Sequence, residues 1–299
     1  MFDKYRNQVG LLIRILPLIY KIEDFAIHGG TAINLFVKNM PRLSVDIDLT
    51  YLPLSNRDES ILNIQKKLVV LQVEIEKSIS GVRIIFKKEA LKLFCSWKNS
   101  LVKIEVNGIK RGIIGKTEDW ELCAKATAMF SMTSRARLVP LSVLYGGKIV
   151  AALSRQHPRD IFDYKHMEIN SFDLVKEGFI FNLLSTEKPI IEILQPKPLN
   201  QEAALTNQFI GMTDQKFDYN DYEIARKDLI KTILRNLNQT DREFLISFES
   251  GQPDWRKCIA GDLRIYPAIE WKLLNINLLK TNNPSKFQTN IDKLSNFLL

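Results

Sequence analysis

The chain has 299 residues, of which 45% are hydrophobic and 25% charged, a balance that supports a buried core and argues against intrinsic disorder. Lysine and arginine outnumber aspartate and glutamate by 42 to 34, and the resulting net charge of +8 favours polyanionic partners such as nucleotides or RNA. Three separated cysteines without a CxxC pair argue against a disulfide or zinc framework, and no apolar run reaches the ~18 residues of a membrane span.

The first half of the chain alternates between helical and strand patterns. An amphipathic helix opens the sequence, and "FAIHGG" then predicts a short strand that ends in a glycine turn. "TAINLFVKN" predicts a short helix that ends before Pro41, and "LSVDIDLTYL" alternates apolar and polar residues as a strand does. A long helix is predicted over residues 58–79, followed by strands in "GVRIIFKK", "LKLFCSW" and "SLVKIEVNG", the last two paired through the "KN" turn.

The second half is predicted to be mostly helical from about residue 118. The segment "STEKPIIEILQPKPLNQ", residues 185–201, is the best candidate for a linker. Beyond it, amphipathic segments such as "YEIARKDLIKTILRNL" and "PAIEWKLLNINLLK" predict a small helical bundle. We therefore expect an α+β fold in a cytoplasmic protein, divided into a catalytic core at 1–115, a helical region at 116–184 and a C-terminal helical domain at 185–299.

Two aspartates in the strand "LSVDIDLTYL" are the first candidates for chemistry. Because side chains alternate across a strand, Asp46 and Asp48 project from one face, roughly 7 Å apart. Like charges at that distance repel, and Mg²⁺ is the cation that combines a few carboxylates with waters and nucleotide phosphates. The other interpretation is that both aspartates are solvated on an edge strand.

Neighbouring segments add to the aspartate pair. Gly29 and Gly30, followed by Thr31 at a helix start, offer backbone N–H groups and a hydroxyl to phosphate oxygens, although an ordinary capped turn has the same pattern. Glu105 lies on a later alternating strand and is a candidate third metal ligand. The alternative for Glu105 is a solvent-facing side chain paired with Lys103, which shares its face.

These residues together resemble the DNA polymerase β type of nucleotidyltransferase and, more narrowly, the AbiEii-type toxins of type IV toxin–antitoxin systems. The resemblance rests on the glycine turn and on the motif that follows it, namely Gly29-Gly30-Thr31, Arg42, Ser44, Asp46 and Asp48. It implies a polymerase β-like core of mixed sheet and helices. It also implies that the region 116–184 completes the active site.

A second part of the resemblance lies in "GGKIVAALSRQHPRDIFDYKHM". Lys148 and Arg155 are two helical turns apart and share a face, while Asp160 and Asp163 are one turn apart on the next helix. The resemblance implies that Lys148 contacts the triphosphate and that Asp160 belongs to the active site. Without the upstream motif, the same residues would be interpreted as a helical hairpin with surface ion pairs.

The implied reaction is the transfer of NMP from an NTP to an acceptor hydroxyl. Two Mg²⁺ ions would be held by Asp46, Asp48 and Glu105. The triphosphate would be bound by a set of glycine, hydroxyl and basic residues, namely Gly29, Gly30, Thr31, Arg42, Ser44, Lys148 and Arg155. The resemblance further implies the 3′ end of tRNA as acceptor, a block of translation, growth arrest or phage defence, and a cognate antitoxin as partner.

Two other classes of function are compatible with the same residues. The fold is also suited to adenylylating a small molecule such as an aminoglycoside. Alternatively, the chain is a catalytically silent nucleotide-binding module. The basic residues Lys227, Lys231 and Arg235 recur on one C-terminal helix face, either to contact an RNA backbone or simply as a solvated face.

Overall fold

The computed structural model describes residues 2–169 and 171–299, and side chains from residue 5 onward. Within these residues the chain forms two compact units, one of residues 1–140 with 207–216 and the other of residues 141–206 with 217–299. These units group the residues differently from the three segments expected at 1–115, 116–184 and 185–299, which remain a prediction. Across the described residues, no helix combines the length and apolar character needed to cross a membrane.

A mixed seven-stranded sheet forms the centre of the first unit, which confirms the predicted α+β core. Its strands are β1 (Phe25–His28), β2 (Asp46–Tyr51), β3 (Arg83–Lys87), β4 (Lys92–Trp97), β5 (Ser100–Val106), β6 (Glu118–Glu121) and β7 (Arg135–Leu138), in the spatial order β3-β4-β5-β2-β1-β7-β6. The pairs β2–β5 and β1–β7 are parallel, and the other neighbours are antiparallel.

The first-unit helices are α1 (Phe2–Tyr20), α2 (Gly29–Ala32) with a π-helical continuation (Ile33–Val37), α3 (Arg57–Ser78) and α4 (Ala124–Phe130). Helix α1 contacts β5, β7 and α3, and α3 contacts β3 and β4. These helices cover the apolar side of the central strands, where Ile47, Leu49 and Ile104 are fully buried. Burying each such side chain contributes about 1.5–3 kcal/mol. The alternate, polar side chains of β2 and β5 lie on the other face of the sheet and are partly exposed.

The chain is mostly helical after residue 118, as predicted, but strands β6 and β7 in this region were not predicted. They pair antiparallel, with Asp119 opposite Arg137 and Glu121 opposite Arg135. Opposite charges across an antiparallel pair stabilise it by about 0.2–1 kcal/mol. The sequence of β6, EDWE, has no apolar alternation, and the alternation in β7, RARL, covers only four residues. The sequence pattern therefore did not indicate either strand.

The second unit is helical, as predicted for the C-terminal part of the chain. It contains α5 (Leu141–Arg155), α6 (Pro158–His166), α7 (Asp173–Leu184), α8 (Ile190–Leu194), α10 (Tyr219–Asn236), α11 (Gln239–Glu249), α12 (Pro267–Asn282) and α13 (Pro284–Leu298), with α9 (Glu202–Gln208) ending in the segment that joins the first unit. The segment 185–201 is not a simple linker, because α8 buries Ile190, Ile193 and Leu194 almost completely.

Candidate active site

Strand β2 presents both aspartates on the polar face of the sheet. Asp46 and Asp48 are partly exposed, whereas Ile47 and Leu49 between and beyond them are fully buried on the other face. In the strand register, Asp48 lies opposite His28 on β1 and opposite Glu105 on β5. Asp46 and Asp48 therefore share one face of the sheet, as predicted, and Glu105 lies on the adjacent strand.

The glycine turn after β1 packs directly against these side chains. Gly29 has a φ of +73°, and a Cβ atom at this position would lie 2.8 Å from Oδ2 of Asp48. A Cβ atom on Gly30 would lie 2.7 Å from Nη2 of Arg42 and 3.0 Å from Oγ of Ser44. Only glycine combines this backbone conformation with so close an approach, so the turn is shaped around the aspartate and its neighbours.

Hydrogen bonds tie the start of α2 to the loop before β2. The buried Thr31 hydroxyl donates to the backbone oxygen of Asp46 at 2.5 Å and lies within hydrogen-bond distance, 3.0 Å, of Oγ of Ser44. The buried Asn34 side chain donates to the backbone oxygen of Gly30 at 2.9 Å. The Thr31 hydroxyl thus fixes the position of Asp46, and this role is additional to the phosphate contact predicted from the sequence. The sequence analysis did not identify Asn34.

Arg42 is held in the same network. Its side chain is 4% exposed, its Nη1 donates to the backbone oxygen of Leu43 at 2.9 Å, and its backbone N–H donates to Oδ1 of Asn34 at 3.3 Å. The guanidinium group therefore lies beside the glycine turn, next to the position that a Cβ atom of Gly30 would take.

Glu105 is engaged by two lysines in this structure. Its Oε1 lies 2.9 Å from Nζ of Lys92, and its Oε2 lies 2.9 Å from Nζ of Lys103. Burial raises the pKa of Glu105, but hydrogen bonds and charge from both lysines outweigh it and lower the pKa below its ordinary value. The pairing with Lys103 that the sequence offered as an alternative is therefore formed, and Lys92 is a second partner from β4.

Lys103 lies in the field of all three carboxylates. It is opposite Asp46 in the register of β2 and β5. Burial lowers the pKa of Lys103, but the hydrogen bond to Glu105 and the charges of Asp46, Glu105 and Asp48 raise it above its ordinary value. The acidic face of the sheet thus carries its own cation.

The donor set fits magnesium through the two aspartates. Within the described part of the chain, no group of three His, Cys, Asp or Glu side chains is placed to hold one ion. Mg²⁺ nevertheless needs only one or two carboxylates together with waters and phosphate oxygens, and Asp46 and Asp48 supply these beside the glycine turn. Glu105 as third ligand remains a prediction that requires it to release at least one lysine.

In the second unit, the residues of the later motif form a buried charged cluster. Nζ of Lys148 on α5 lies 2.8 Å from Oδ1 of Asp160 and 2.8 Å from Oδ2 of Asp163, both on α6. The three side chains are 5%, 6% and 0% exposed, so the interpretation as surface ion pairs does not apply to them. The exposed Arg155 adds a contact of 2.8 Å from its Nη2 to Oδ2 of Asp160.

The charges within this cluster compensate one another. Burial raises the pKa of Asp160, but the charges of Lys148 and Arg155 and the hydrogen bond from Lys148 outweigh it and lower the pKa below its ordinary value. Asp163 completes the cluster, although the sequence analysis assigned a role only to Asp160. The sequence signal for Asp163 was its position one helical turn after Asp160. The predicted contact of Lys148 with a triphosphate remains a prediction.

A cavity of about 670 Å³ lies elsewhere in the second unit, beside α6 and α10. Its walls include Tyr164, Lys165, Asp221 and Asp228. Tyr164 donates to Asp228 at 3.0 Å and Lys165 approaches Asp221 at 3.4 Å. None of the predicted site residues lines this cavity, so we do not assign it to the reaction.

A family model for the nucleotidyl transferase AbiEii toxin of type IV toxin–antitoxin systems matches residues 11–275. The chain belongs to the AbiEii family. Membership confirms the resemblance read from the motifs, and it implies an NTP substrate and an antitoxin partner.

A solved structure agrees with the AbiEii assignment at the level of the fold. MenT4, a nucleotidyltransferase toxin from Mycobacterium tuberculosis H37Rv, superimposes with a TM-score of 0.58 and 13% sequence identity, covering 91% of this chain and 93% of the MenT4 chain. No curated protein matches the sequence. At this identity the likeness to MenT4 shows the shared fold, and the assignment to the AbiEii family rests on the family model.

Proposed function

We propose that this AbiEii-family protein transfers NMP from an NTP to a hydroxyl group of an RNA acceptor. The observation that carries the proposal is the contact between the Gly29–Gly30 turn and the Asp46–Asp48 strand. A turn able to receive phosphates lies directly against two carboxylates able to hold a divalent metal. This pairing is the minimum that an in-line attack on the α-phosphorus requires.

In the proposed reaction, the chain's own residues position the triphosphate and the metal. When bound, two magnesium ions supply charge neutralisation and lower the pKa of the acceptor hydroxyl. Asp46 and Asp48 hold the metal, with Glu105 as the proposed third ligand. The turn at Gly29 and Gly30 and the cations Arg42, Lys148 and Arg155 bind the phosphates, with Thr31 and Ser44 ordering the turn.

The bond changes define what these residues must do. The acceptor oxygen forms a bond to the α-phosphorus, the bond from that phosphorus to the bridging oxygen breaks, and pyrophosphate leaves with the negative charge. The acceptor proton passes to a carboxylate or to water, and Asp160 is the proposed residue that orients Lys148 or assists this transfer. The positive groups oppose the charge that develops on the leaving pyrophosphate.

The proposed acceptor is the 3′ end of tRNA in the cytoplasm. Nucleotides added there prevent aminoacylation and block translation, a mode of action that fits a toxin and leads to growth arrest or phage defence. The net charge of +8 supports contact with an RNA backbone. The cognate antitoxin would relieve the arrest.

The proposal is tested by incubating the purified protein with total tRNA, Mg²⁺ and each α-labelled NTP in turn. We expect label in RNA with at least one NTP, and a loss of about 100-fold or more on Asp48→Asn because a metal ligand is removed. Asp58→Asn is the matched control, since the side chain of Asp58 is 94% exposed on α3 and the substitution is the same. Its rate should equal that of the wild type.

Two other outcomes separate the alternative functions. Label that enters an aminoglycoside and leaves every RNA unlabelled would favour a small-molecule nucleotidyltransferase. If no acceptor is labelled and Asp46→Ala leaves growth arrest by the protein unchanged, the chain acts as a catalytically silent module. Either result would contradict the proposed RNA transfer.

A further inference from the structure

A row of polar side chains crosses the sheet at the candidate metal site. In register, Lys92 on β4 lies opposite Glu105 on β5, which lies opposite Asp48 on β2. One position earlier on the same face of β5, Lys103 lies opposite Asp46. Two lysines and three carboxylates therefore share this face. Of the two lysines, Lys103 is the one that lies directly opposite an aspartate in the strand register.

Glu105 fixes Lys103 in that position. Its two carboxylate oxygens each bind a different lysine at 2.9 Å, so both lysines are restrained by the same residue. The side chains of Lys92 and Lys103 are equally exposed, at 31% each. They differ in place, because Lys92 lies one strand farther from β2. The sheet thus provides two lysines that match in partner, distance and exposure but differ in their distance from the aspartates.

A cation at Lys103 opposes a metal ion at Asp46 and Asp48. Because neighbouring strands lie about 4.8 Å apart, a divalent ion bound to the aspartates would be near the Lys103 side chain, which also carries positive charge. At a partly exposed site, repulsion over such distances changes an affinity roughly tenfold. A nucleoside triphosphate that arrives with its metal brings negative charge that offsets this repulsion.

We propose that Lys103, held by Glu105, is a resident counter-cation of the Asp46–Asp48 pair and that divalent metal binds these aspartates in competition with its ammonium group. The inference rests on the proposed function, since it concerns the same metal site. It predicts that the metal binds weakly without nucleotide and is carried in by the triphosphate. Lys103 is then a positioning residue that makes metal loading depend on nucleotide.

The test measures Mn²⁺ binding to the full chain without nucleotide or RNA, from the electron paramagnetic resonance signal of free Mn²⁺. We expect Lys103→Met to tighten Mn²⁺ binding about tenfold, because the competing charge is removed while the length of the side chain is kept. Lys92→Met is the matched control, with a change of less than about twofold. Lys103→Arg should behave like the wild type, because it restores the charge.

Equal tightening by Lys92→Met and Lys103→Met would overturn the proposal, since net charge alone would then explain the effect. An unchanged or weaker affinity in Lys103→Met would also overturn it, as would a gain that survives Asp46→Asn in the Lys103→Met background. Absence of Mn²⁺ binding in every variant would contradict any metal site at these aspartates. Circular dichroism and urea unfolding of each variant check that the fold is retained.

The labelled-nucleotide assay separates failure of this inference from failure of the proposed function. If Lys103→Met tightens Mn²⁺ binding as expected but no RNA is labelled, Lys103 is still a counter-cation of the aspartates and the proposed RNA transfer is wrong. If RNA is labelled but Lys103→Met leaves Mn²⁺ binding unchanged, the proposed function stands and the inference about Lys103 is wrong.

Discussion

At the scale of single residues, Gly29 shows how backbone conformation and side-chain chemistry depend on each other. Its φ of +73° is in the left-handed region, and Oδ2 of Asp48 occupies the space that a Cβ atom would need. Gly81, in the turn between α3 and β3, has a similar φ of +77°, but nothing lies within 4 Å of the corresponding Cβ position. Substituting each glycine in turn therefore distinguishes the effect of backbone strain, which both share, from displacement of Asp48, which only Gly29 would cause.

We expect Gly29→Ala and Gly81→Ala to lower the free energy of unfolding by a similar amount, about 1–2 kcal/mol, because both place alanine in a left-handed conformation. Only Gly29→Ala should also reduce nucleotide transfer, about tenfold or more, because it moves Asp48. Urea unfolding and the labelled-nucleotide assay measure the two effects. Equal transfer rates in both variants would show that the turn does not control the aspartate.

At the scale of secondary-structure elements, α5 is positioned by its contact with α7. A Cβ atom on Gly146 would lie 2.3 Å from the backbone of Gly178, and one on Gly178 would lie 2.0 Å from the backbone oxygen of Ser142. Asn182 on α7 adds a hydrogen bond of 3.1 Å to the backbone oxygen of Val143. The two helices therefore touch backbone to backbone, next to the turn of α5 that carries Lys148.

Gly178→Ala should destabilise the protein by about 3 kcal/mol or more, since backbone atoms of α5 cannot move aside as a flexible side chain can. Gly10→Ala in α1 is the control, because its Cβ atom would meet only the ring of Phe130 at 3.8 Å. That substitution should be neutral or stabilising by up to about 1 kcal/mol. Differential scanning calorimetry of both variants measures the contrast, and comparable melting temperatures would contradict the tight helix contact.

Sequence reasoning succeeded for elements with a strong apolar period and failed for those held by other means. Strand β2 and helices α3 and α10 were expected because their buried residues recur at the strand or helix spacing. Strands β6 and β7 are only four residues long and place charged residues opposite one another, and α8 is a single short turn of buried residues between prolines. The ion pair between Lys92 and Glu105 follows from the register of the predicted β4–β5 hairpin, but the sequence analysis did not extend that register to Lys92.

At the scale of the whole molecule, stability depends on charges buried between helices of the second unit. The Lys148 cluster joins α5 to α6, and Nζ of Lys176 on α7 lies 3.2 Å from Oδ2 of Asp241 on α11, with both side chains about 5–6% exposed. Removing one member of such a pair leaves a buried charge uncompensated and costs about 3–5 kcal/mol. The lowered pKa of Asp160 in the Lys148 cluster links the stability of the helical unit to pH.

Asp160→Asn should lower the free energy of unfolding by about 1.5–3 kcal/mol at pH 7, because Lys148 loses one of its two carboxylate partners and keeps Asp163. Because the pKa of Asp160 is lowered in the folded state, its contribution is fully present above its unfolded pKa of about 3.9 and is lost as pH falls through the folded value. The difference in unfolding free energy between the wild type and Asp160→Asn should therefore become smaller below about pH 4. Urea unfolding from pH 7 to pH 3 measures it, and a constant gap would contradict the assignment.

Asp58→Asn serves as the control for this pH series, since its side chain is 94% exposed. Its unfolding free energy should remain within about 0.5 kcal/mol of the wild type throughout.

The segment 207–216 has a consequence for synthesis on the ribosome. It belongs to the first unit, where the backbone oxygen of Met212 accepts a hydrogen bond of 2.7 Å from Leu43 and the Thr213 hydroxyl donates to Pro41 at 2.8 Å. The loop that carries Arg42 therefore lacks these two supports until residue 213 has left the exit tunnel. The packing of the loop before β2 is therefore completed only after most of the chain has been translated.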